Sequence, residues 1–397
     1  MEDLKNKIKE LAASYHEQVV GYRRHLHSNP ELSFEEFNTS KYIQGVIESM
    51  GLTPVIGLGG GTGLYVDIGE GDKVVALRAD IDALPITEEA SHDYKSKNDG
   101  VMHACGHDVH TSSLLGVLHI LNEIKEDLPC KFRCIFQPGE EKLPGGASKM
   151  IADGVLQNPD VELIIGQHVH PSFECGTVGV KPEASMASCD ELYITIKGKG
   201  GHGALPHMVI DPIYISAQVI NALQSIVSRH ANPDTPSVLT IGKINSVGGA
   251  TNVIPEEVKM EGTFRTFDET WRQKAYKLIR QKVNGVCEAH GATADVHIMS
   301  GYPSLYNSPV VTAASKAAMI SYLGKDKVID MPLRMTAEDF SYYSQEIPAC
   351  FYRLGTASTD GTKNSPVHTP TFDVDERSLE VGIGLMAWIA VNLGNKN

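Results

Sequence analysis

His103-Ala-Cys105-Gly-His107-Asp108-Val-His110 packs three imidazoles, a thiol and a carboxylate into eight residues just ahead of an apolar, helix-patterned stretch. Imidazole nitrogen, thiolate and carboxylate are the side chains that donate lone pairs to borderline divalent cations such as zinc. Only Gly106 separates Cys105 from His107, and glycine permits a bend that would bring both to one ion. A histidine-rich helix start on a wet surface is the plainer reading, and the flanking chain decides between them.

Outward from this stretch, apolar strands alternate with amphipathic helices. Residues 109–126 put Leu114, Leu115, Val117, Leu118, Leu121 and Ile124 on one helical face, with Asp108 as the expected N-cap. Upstream, 73–79 reads as a strand buried on both faces and ends in Asp80-Ile-Asp82-Ala-Leu-Pro85. Downstream, the strand 131–137 ends in Pro138-Gly-Glu140-Glu141, and the strand 161–166 ends in Gln167-His168-Val-His170-Pro171. Each of these strands ends in a turn carrying carboxylates or histidines. Ligands of open α/β sheets bind outside the carboxyl ends of the strands, so turns far apart in sequence can converge there.

The amino-terminal fifty residues read as scaffold: a helix over 4–27, then Ser33-Phe-Glu-Glu36 as a capping box opening a second helix over 34–50. A strand follows over 64–68. The glycine cluster 57–63 lacks GxGxxG spacing and leads into that strand, so it is expected to be a plain loop. From residue 187 the character changes to strand 192–197, helix 212–230, strands 238–246 and 258–267, helix 271–290 and strand 293–299. That β-α-β-β-α-β order is the split, ferredoxin-like unit. Beyond residue 308 the helix and apolar-strand alternation returns, including 350–355. The expectation is an α/β domain with a mixed sheet, made of 1–186 and 300–397, into which an α+β ferredoxin-like domain is inserted over 187–299.

At 397 residues two domains are the natural division. The 42% hydrophobic and 21% charged content is that of a soluble globular protein. No apolar run approaches the roughly 20 residues of a membrane span, and the charged opening residues carry no signal-peptide core, so a cytoplasmic protein is expected. The net charge of -14, with no basic cluster denser than Tyr22-Arg-Arg24-His25, argues against nucleic acid or anionic membrane as partner. Seven cysteines without a CxxC pair indicate neither a disulfide framework nor a zinc knuckle. Neither GxSxG nor HExxH occurs, which disfavours a serine hydrolase and a helix-borne zinc site.

Of the groups able to do chemistry, Glu140 and Glu141 suit a division in which one binds metal and the other stays free as a base. His168 is favoured over His170 because it follows the apolar run almost directly. His368 sits in Asn364-Ser-Pro-Val-His368-Thr-Pro370, where two prolines stiffen the backbone. His202 stands among glycines, where imidazole and backbone can approach a ligand. Arg265 falls on the polar face of its strand and could grip a substrate carboxylate in two hydrogen bonds. Solvated loop glutamates, a rigid loop histidine and a surface arginine are the structural alternatives.

Taken together, 79–85, 103–110, 137–141, 167–171, Gly200-Gly-His-Gly203, Thr251-Asn-Val-Ile-Pro255 and Glu338-Asp-Phe340 form a set. The set resembles the metal-dependent amidohydrolases that include hippurate hydrolase, bacterial N-acyl-amino-acid deacylases and plant indole-acetyl-amino-acid hydrolases. The match runs in order from Arg24-His-Leu-His27 to His368, and it specifies a family and not one member. The resemblance implies a catalytic domain of di-metal exopeptidase type holding two divalent ions (Zn, Mn or Ni). Cys105, His107, Glu141, His168 and His368 match the ligands, with Cys105 near where related peptidases use a bridging carboxylate. Glu140 matches the general base and proton shuttle. Asp82 matches a carboxylate that orients a ligand, although Asp80 stands where those peptidases have a histidine. The inserted domain would be a lid and dimerisation domain, with His202 stabilising the tetrahedral oxyanion from its own subunit or across a dimer, and Asn252 and Arg265 holding the substrate carboxylate.

The expected activity is therefore hydrolysis of the amide of an N-acyl-amino acid by metal-activated water, in a homodimer or higher homo-oligomer. A dipeptidase or an N-acetyl-diaminopimelate deacetylase is the alternative within the class, and a non-catalytic metal or amino-acid binding module is the alternative outside it.

Overall fold

A computed structural model describes residues 1–395; the last two residues of the expected α/β segment lie outside these. Two compact units form: Met1–Glu183 with Tyr306–Pro332 and Asp339–Asn397, and Ala184–Leu305 with Leu333–Glu338.

The first unit is built on an eight-stranded mixed sheet. Its order is Val55–Leu58, Gly63–Ile68, Lys131–Gln137, Val74–Asp80, Leu163–Glu174, Ala349–Ala357, Val178–Val180 and Val328–Asp330. The four strands from Lys131–Gln137 to Ala349–Ala357 run parallel, which sends their carboxyl ends to one edge of the sheet. Every residue of Val74–Asp80 is buried, as its unbroken apolar opening demands. Helices Glu2–Ser28, His107–Glu123 and Arg377–Gly394 pack against one another and bury Ile8, Val19, Leu114, Leu118, Ile383 and Ile389 completely. Each such side chain contributes about 1.5–3 kcal/mol of transfer free energy. The fold class read from the alternation of strands and helices is the one observed.

Four local expectations are corrected. The second helix is Phe37–Ser49, and no side chain caps its start; the Ser33 hydroxyl donates to Asp82 Oδ2 at 2.6 Å instead. Asp108 is not an N-cap. Gly106, in the left-handed region, precedes the helix that begins at His107, and Asp108 is buried against Arg23 and His27. Part of the glycine cluster is not loop: Gly57 and Leu58 end a strand that pairs with Gly63–Ile68. The third apolar strand continues to Glu174, so His168 and His170 lie within it and not in a turn. In the first two cases a tertiary partner outcompeted the local backbone for a polar side chain, which local sequence pattern cannot register.

In the second unit Ser237–Val247, Glu257–Thr266, Asp190–Lys197 and Thr293–Ser300 form an antiparallel sheet in that order. Leu192, Ile194 and Ile196 face the core shared with helices Pro212–Ser225 and Glu269–Ala289, while the alternate residues Glu191, Tyr193 and Lys197 are exposed. No helix among the described residues is long and apolar enough to cross a membrane.

Arg23, fully buried on the first helix, donates from Nε to Asp108 Oδ2 at 2.9 Å and from Nη2 to Asp373 Oδ1 at 2.8 Å. Burial opposes ionisation of Asp108, but Arg23 and His27 outweigh it and hold the carboxyl well below the usual range. Removing one partner of a buried ion pair leaves an uncompensated charge, so Asp108→Asn is expected to cost about 3 kcal/mol at pH 7, read as a lower urea midpoint. With a depressed folded-state value, this stabilisation is complete above about pH 4 and is lost on further acidification. The midpoints of wild type and variant should therefore converge below that pH.

Candidate metal centre

The centre forms where the carboxyl ends of the parallel strands meet the loop ahead of the His107–Glu123 helix. Gly106 has φ +84°, and a Cβ there would lie 2.6 Å from Val169 Cγ2. Glycine alone lets the chain turn between Cys105 and His107 while pressed against that strand. His107 Nδ1 donates to the Asp82 carbonyl at 2.9 Å and faces Asp82 Oδ1 at 3.1 Å. Its Nε2 is buried without a hydrogen-bond partner and looks toward Asp80 Oδ2 at 3.7 Å, Glu141 Oε1 at 3.9 Å and Glu140 Oε2 at 4.0 Å. A buried ring nitrogen left without a hydrogen-bond partner among carboxylates is the arrangement a cation completes.

The other expected donors gather at the same place. His168 Nδ1 donates to the Val169 carbonyl at 2.8 Å, which turns the Nε2 lone pair toward Cys105 Sγ at 3.4 Å. His368 has φ +63°, and its backbone N–H donates to the Ala104 carbonyl at 2.7 Å, pinning the proline-framed loop onto the Cys105 loop. His368 Nε2 lies 3.3 Å from Cys105 Sγ and 3.2 Å from Glu141 Oε1. Cys105, His107 and His168 form one set with ligand atoms within 4.8 Å of one another, and Cys105, Glu141 and His368 form a second. The thiol is common to both. Glu140, His107 and Glu141 make a third such group.

This donor set fits divalent cations: one thiolate, three imidazoles and a carboxylate, with two sets meeting at one sulfur. The electrostatics agree. Cys105 and Glu141 push the His368 imidazole up to about 10, and Asp80 and Cys105 outweigh burial to hold His107 well above its ordinary range. Burial and Glu141 push the Cys105 thiol up against the pull of His107. The cluster thus gathers protons that a cation would displace.

Behind the donors stands a buried polar layer. Asp82 Oδ2 accepts from the Ser33 hydroxyl and, at 3.0 Å, from the Glu141 backbone N–H. Asp80 Oδ1 lies 2.6 Å from His110 Nδ1, and His110 Nε2 accepts from the Val169 N–H at 2.9 Å. Both His110 nitrogens are thereby occupied, and the residue is structural. Arg78, buried on its strand, donates to Gln137 Oε1, Asp80 Oδ2 and Asp339 Oδ1 at 2.8, 2.7 and 2.6 Å. The Asp339 N–H approaches Glu140 Oε1 at 3.4 Å. Sequence reasoning missed Arg78, whose signal was an arginine set in an otherwise apolar strand, where it must be paired.

His202, Asn252 and Arg265 belong to the second unit. His202 pairs with Val253 in a two-stranded ladder, and its Nδ1 accepts from the Ala204 N–H at 3.1 Å. The Asn252 carbonyl accepts from the Gly203 N–H at 2.8 Å, so these two residues lie on joined loops. Arg265 Nη1 donates to the Met335 carbonyl at 2.8 Å.

Comparisons with known proteins follow the same lines. A model of peptidase family M20/M25/M40 matches residues 76–392. The N-acetyl-L-cysteine deacetylase of Bacillus subtilis (strain 168) is 43% identical over 365 residues, covering 91% of this chain and 85% of that protein. The N-acyl-L-amino acid amidohydrolase of Geobacillus stearothermophilus is 43% identical over 304 residues, covering 76% and 81%. A crystal structure from Bacillus subtilis, described as a dinuclear metal binding peptidase from the M20 family, is 36% identical, with a TM-score of 0.83 over 96% of this chain and 99% of that one.

Asp82→Asn would set an amide N–H2 against the Glu141 N–H or the His107 ring. Loss of such an outer-shell carboxylate typically weakens metal binding about 10- to 100-fold. Zinc or manganese titration against a competing chelator should show that loss, and equal affinity in the variant would contradict the arrangement.

Proposed function

The chain belongs to peptidase family M20/M25/M40, a hydrolytic enzyme acting on amides, and from that premise we propose that it hydrolyses the amide bond of N-acyl-amino acids. The products are a carboxylate and the free amino acid. The observation that carries the reading is the gathering of Cys105, His107, Glu141, His168 and His368 around one thiol with Glu140 beside them. The similarity to deacylating relatives named for N-acetyl-L-cysteine and N-acyl-L-amino acids supports the substrate class.

Those five residues would hold two divalent ions, with zinc, manganese and nickel all suited to the donors. When bound, the ions supply Lewis acidity that polarises the scissile carbonyl and makes a nearby water acidic. Glu140, buried beside His107, takes the proton from that water and delivers it to the departing amine nitrogen. Asp82 keeps His107 in the tautomer whose Nε2 is free. His202 supplies positive potential to the oxyanion, from its own subunit or a partner's, and Asn252 and Arg265 bind the substrate carboxylate. On this reading 187–299 serves as a lid and dimerisation domain on a catalytic domain of 1–186 and 300–397, in a cytoplasmic homodimer or higher homo-oligomer.

Glu140→Gln keeps the shape of the side chain and removes the base. Turnover of N-acyl-amino acids is expected to fall by about 10²–10⁴-fold with metal content unchanged. Unaltered turnover in the variant would remove Glu140 from this role. Product analysis over a panel of acyl groups, dipeptides and N-acetyl-diaminopimelate separates the deacylase from its rivals, and tight binding without turnover by fully metallated wild type would indicate a binding module.

A further inference from the structure

The segment Ser33-Phe34-Glu35-Glu36 does not cap its helix, and its side chains reach the turn that carries the two catalytic-site glutamates. Glu36 is fully buried. One of its oxygens, Oε1, accepts from two backbone N–H groups at 2.8 Å each, those of Phe34 and Gly139. The other, Oε2, accepts from the Thr62 hydroxyl at 2.7 Å. Both backbone positions held by Oε1 are left-handed: Phe34 has φ +67° and Gly139 φ +60°. For phenylalanine that conformation is strained and persists only where the surroundings impose it. The Phe34 ring closes over Gly139, since a Cβ there would lie 2.4 Å from Phe34 Cζ. From the other side the Ser33 hydroxyl and the Glu141 N–H meet on Asp82 Oδ2. The segment thus grips the turn immediately before Glu140 and, through Asp82, immediately after it.

We propose that Glu36 is a positioning residue for Glu140: its carboxylate locks the left-handed Gly139 turn and so fixes the direction in which Glu140 leaves the backbone. Glu36 has no role in proton transfer, because its oxygens are committed to Phe34, Gly139 and Thr62. The consequence for catalysis rests on the reading of Glu140 as the base; the clamp itself does not. A glutamine at 36 can reproduce the clamp, with its carbonyl oxygen accepting both N–H groups and its amide donating to Thr62 Oγ1. An alanine cannot. Burial and Asp82 push the Glu36 carboxyl up to about 7, so replacing it by a neutral amide removes a charge that the site holds reluctantly.

The test compares full-length wild type, Glu36→Ala, Glu36→Gln and Thr62→Val, each loaded with zinc or manganese. Two readouts are taken: hydrogen exchange of the peptide spanning Gly139, and steady-state hydrolysis of N-acetyl-amino acids. Glu36→Ala should lose exchange protection at Gly139 and about 10- to 100-fold in kcat, with KM little changed. Glu36→Gln should keep both protection and turnover near wild type. Thr62→Val should move both readouts in the direction of Glu36→Ala by a smaller amount, and it carries the test if the alanine variant fails to fold. Retained protection or unchanged kcat in Glu36→Ala would overturn the proposal. So would a glutamine variant as impaired as the alanine one. If wild type hydrolyses no member of the panel, the proposed function fails, and the exchange data still decide whether Glu36 holds the turn.

Discussion

A single buried guanidinium holds the floor of the metal centre. Arg78 lies in the middle of a strand whose every residue is buried, and its three donor groups go to Gln137, Asp80 and Asp339. Taking such a charge out of water costs several kcal/mol, which only well-formed partners offset. The partners are the residues from which the site is hung. Asp80 passes the constraint through His110 to the Val169 backbone beside His168, and Asp339 receives the Ala147 N–H at 2.9 Å and presents its own N–H to Glu140. The stretches that hold residues 80, 110, 137–147, 169 and 339 are thereby tied, directly or through intervening side chains, to one guanidinium.

This division of labour explains why so many ionisable groups crowd together without sharing one task. Some are spent on geometry: Asp82 on His107 and the Glu141 backbone, Asp108 on Arg23 and His27, Glu36 on the Gly139 turn. What remains is the His107 Nε2 and Glu141 Oε1, both buried without a hydrogen-bond partner, the His168 Nε2 directed at sulfur, and the thiol itself. The candidate metal donors stand out by what their hydrogen bonds leave over.

Much of this was legible in the sequence, and the rest was hidden for specific reasons. The strand 131–137 was readable to the residue, because an apolar run bounded by turn residues has few alternatives. The density of donors in 103–110 pointed to metal, and Gly106 does turn the chain between Cys105 and His107 as its position suggested. The β-α-β-β-α-β order was readable because each element carries its own periodicity. Ser33 and Asp108 were hidden because the fold replaces a local backbone use with a partner roughly fifty or more residues away, and Glu36 because it keeps a local N–H, that of Phe34, while also taking the distant N–H of Gly139. The continuation of the third strand through His168 and His170 was obscured because Gln167, His168 and His170 interrupt the apolar run that marks a buried strand. Inclusion of Leu333–Glu338 in the second unit left no trace in local pattern at all.

On the proposed reading Cys105 is the donor shared by two ions. Anomalous diffraction from crystals of the metal-loaded protein, recorded at the absorption edge of the ion used, tests it directly. Two peaks per chain are expected, both within bonding distance of Cys105 Sγ, one reached by His107 or His168 and the other by Glu141 or His368. A single peak, or a pair from which Cys105 is excluded, would contradict it.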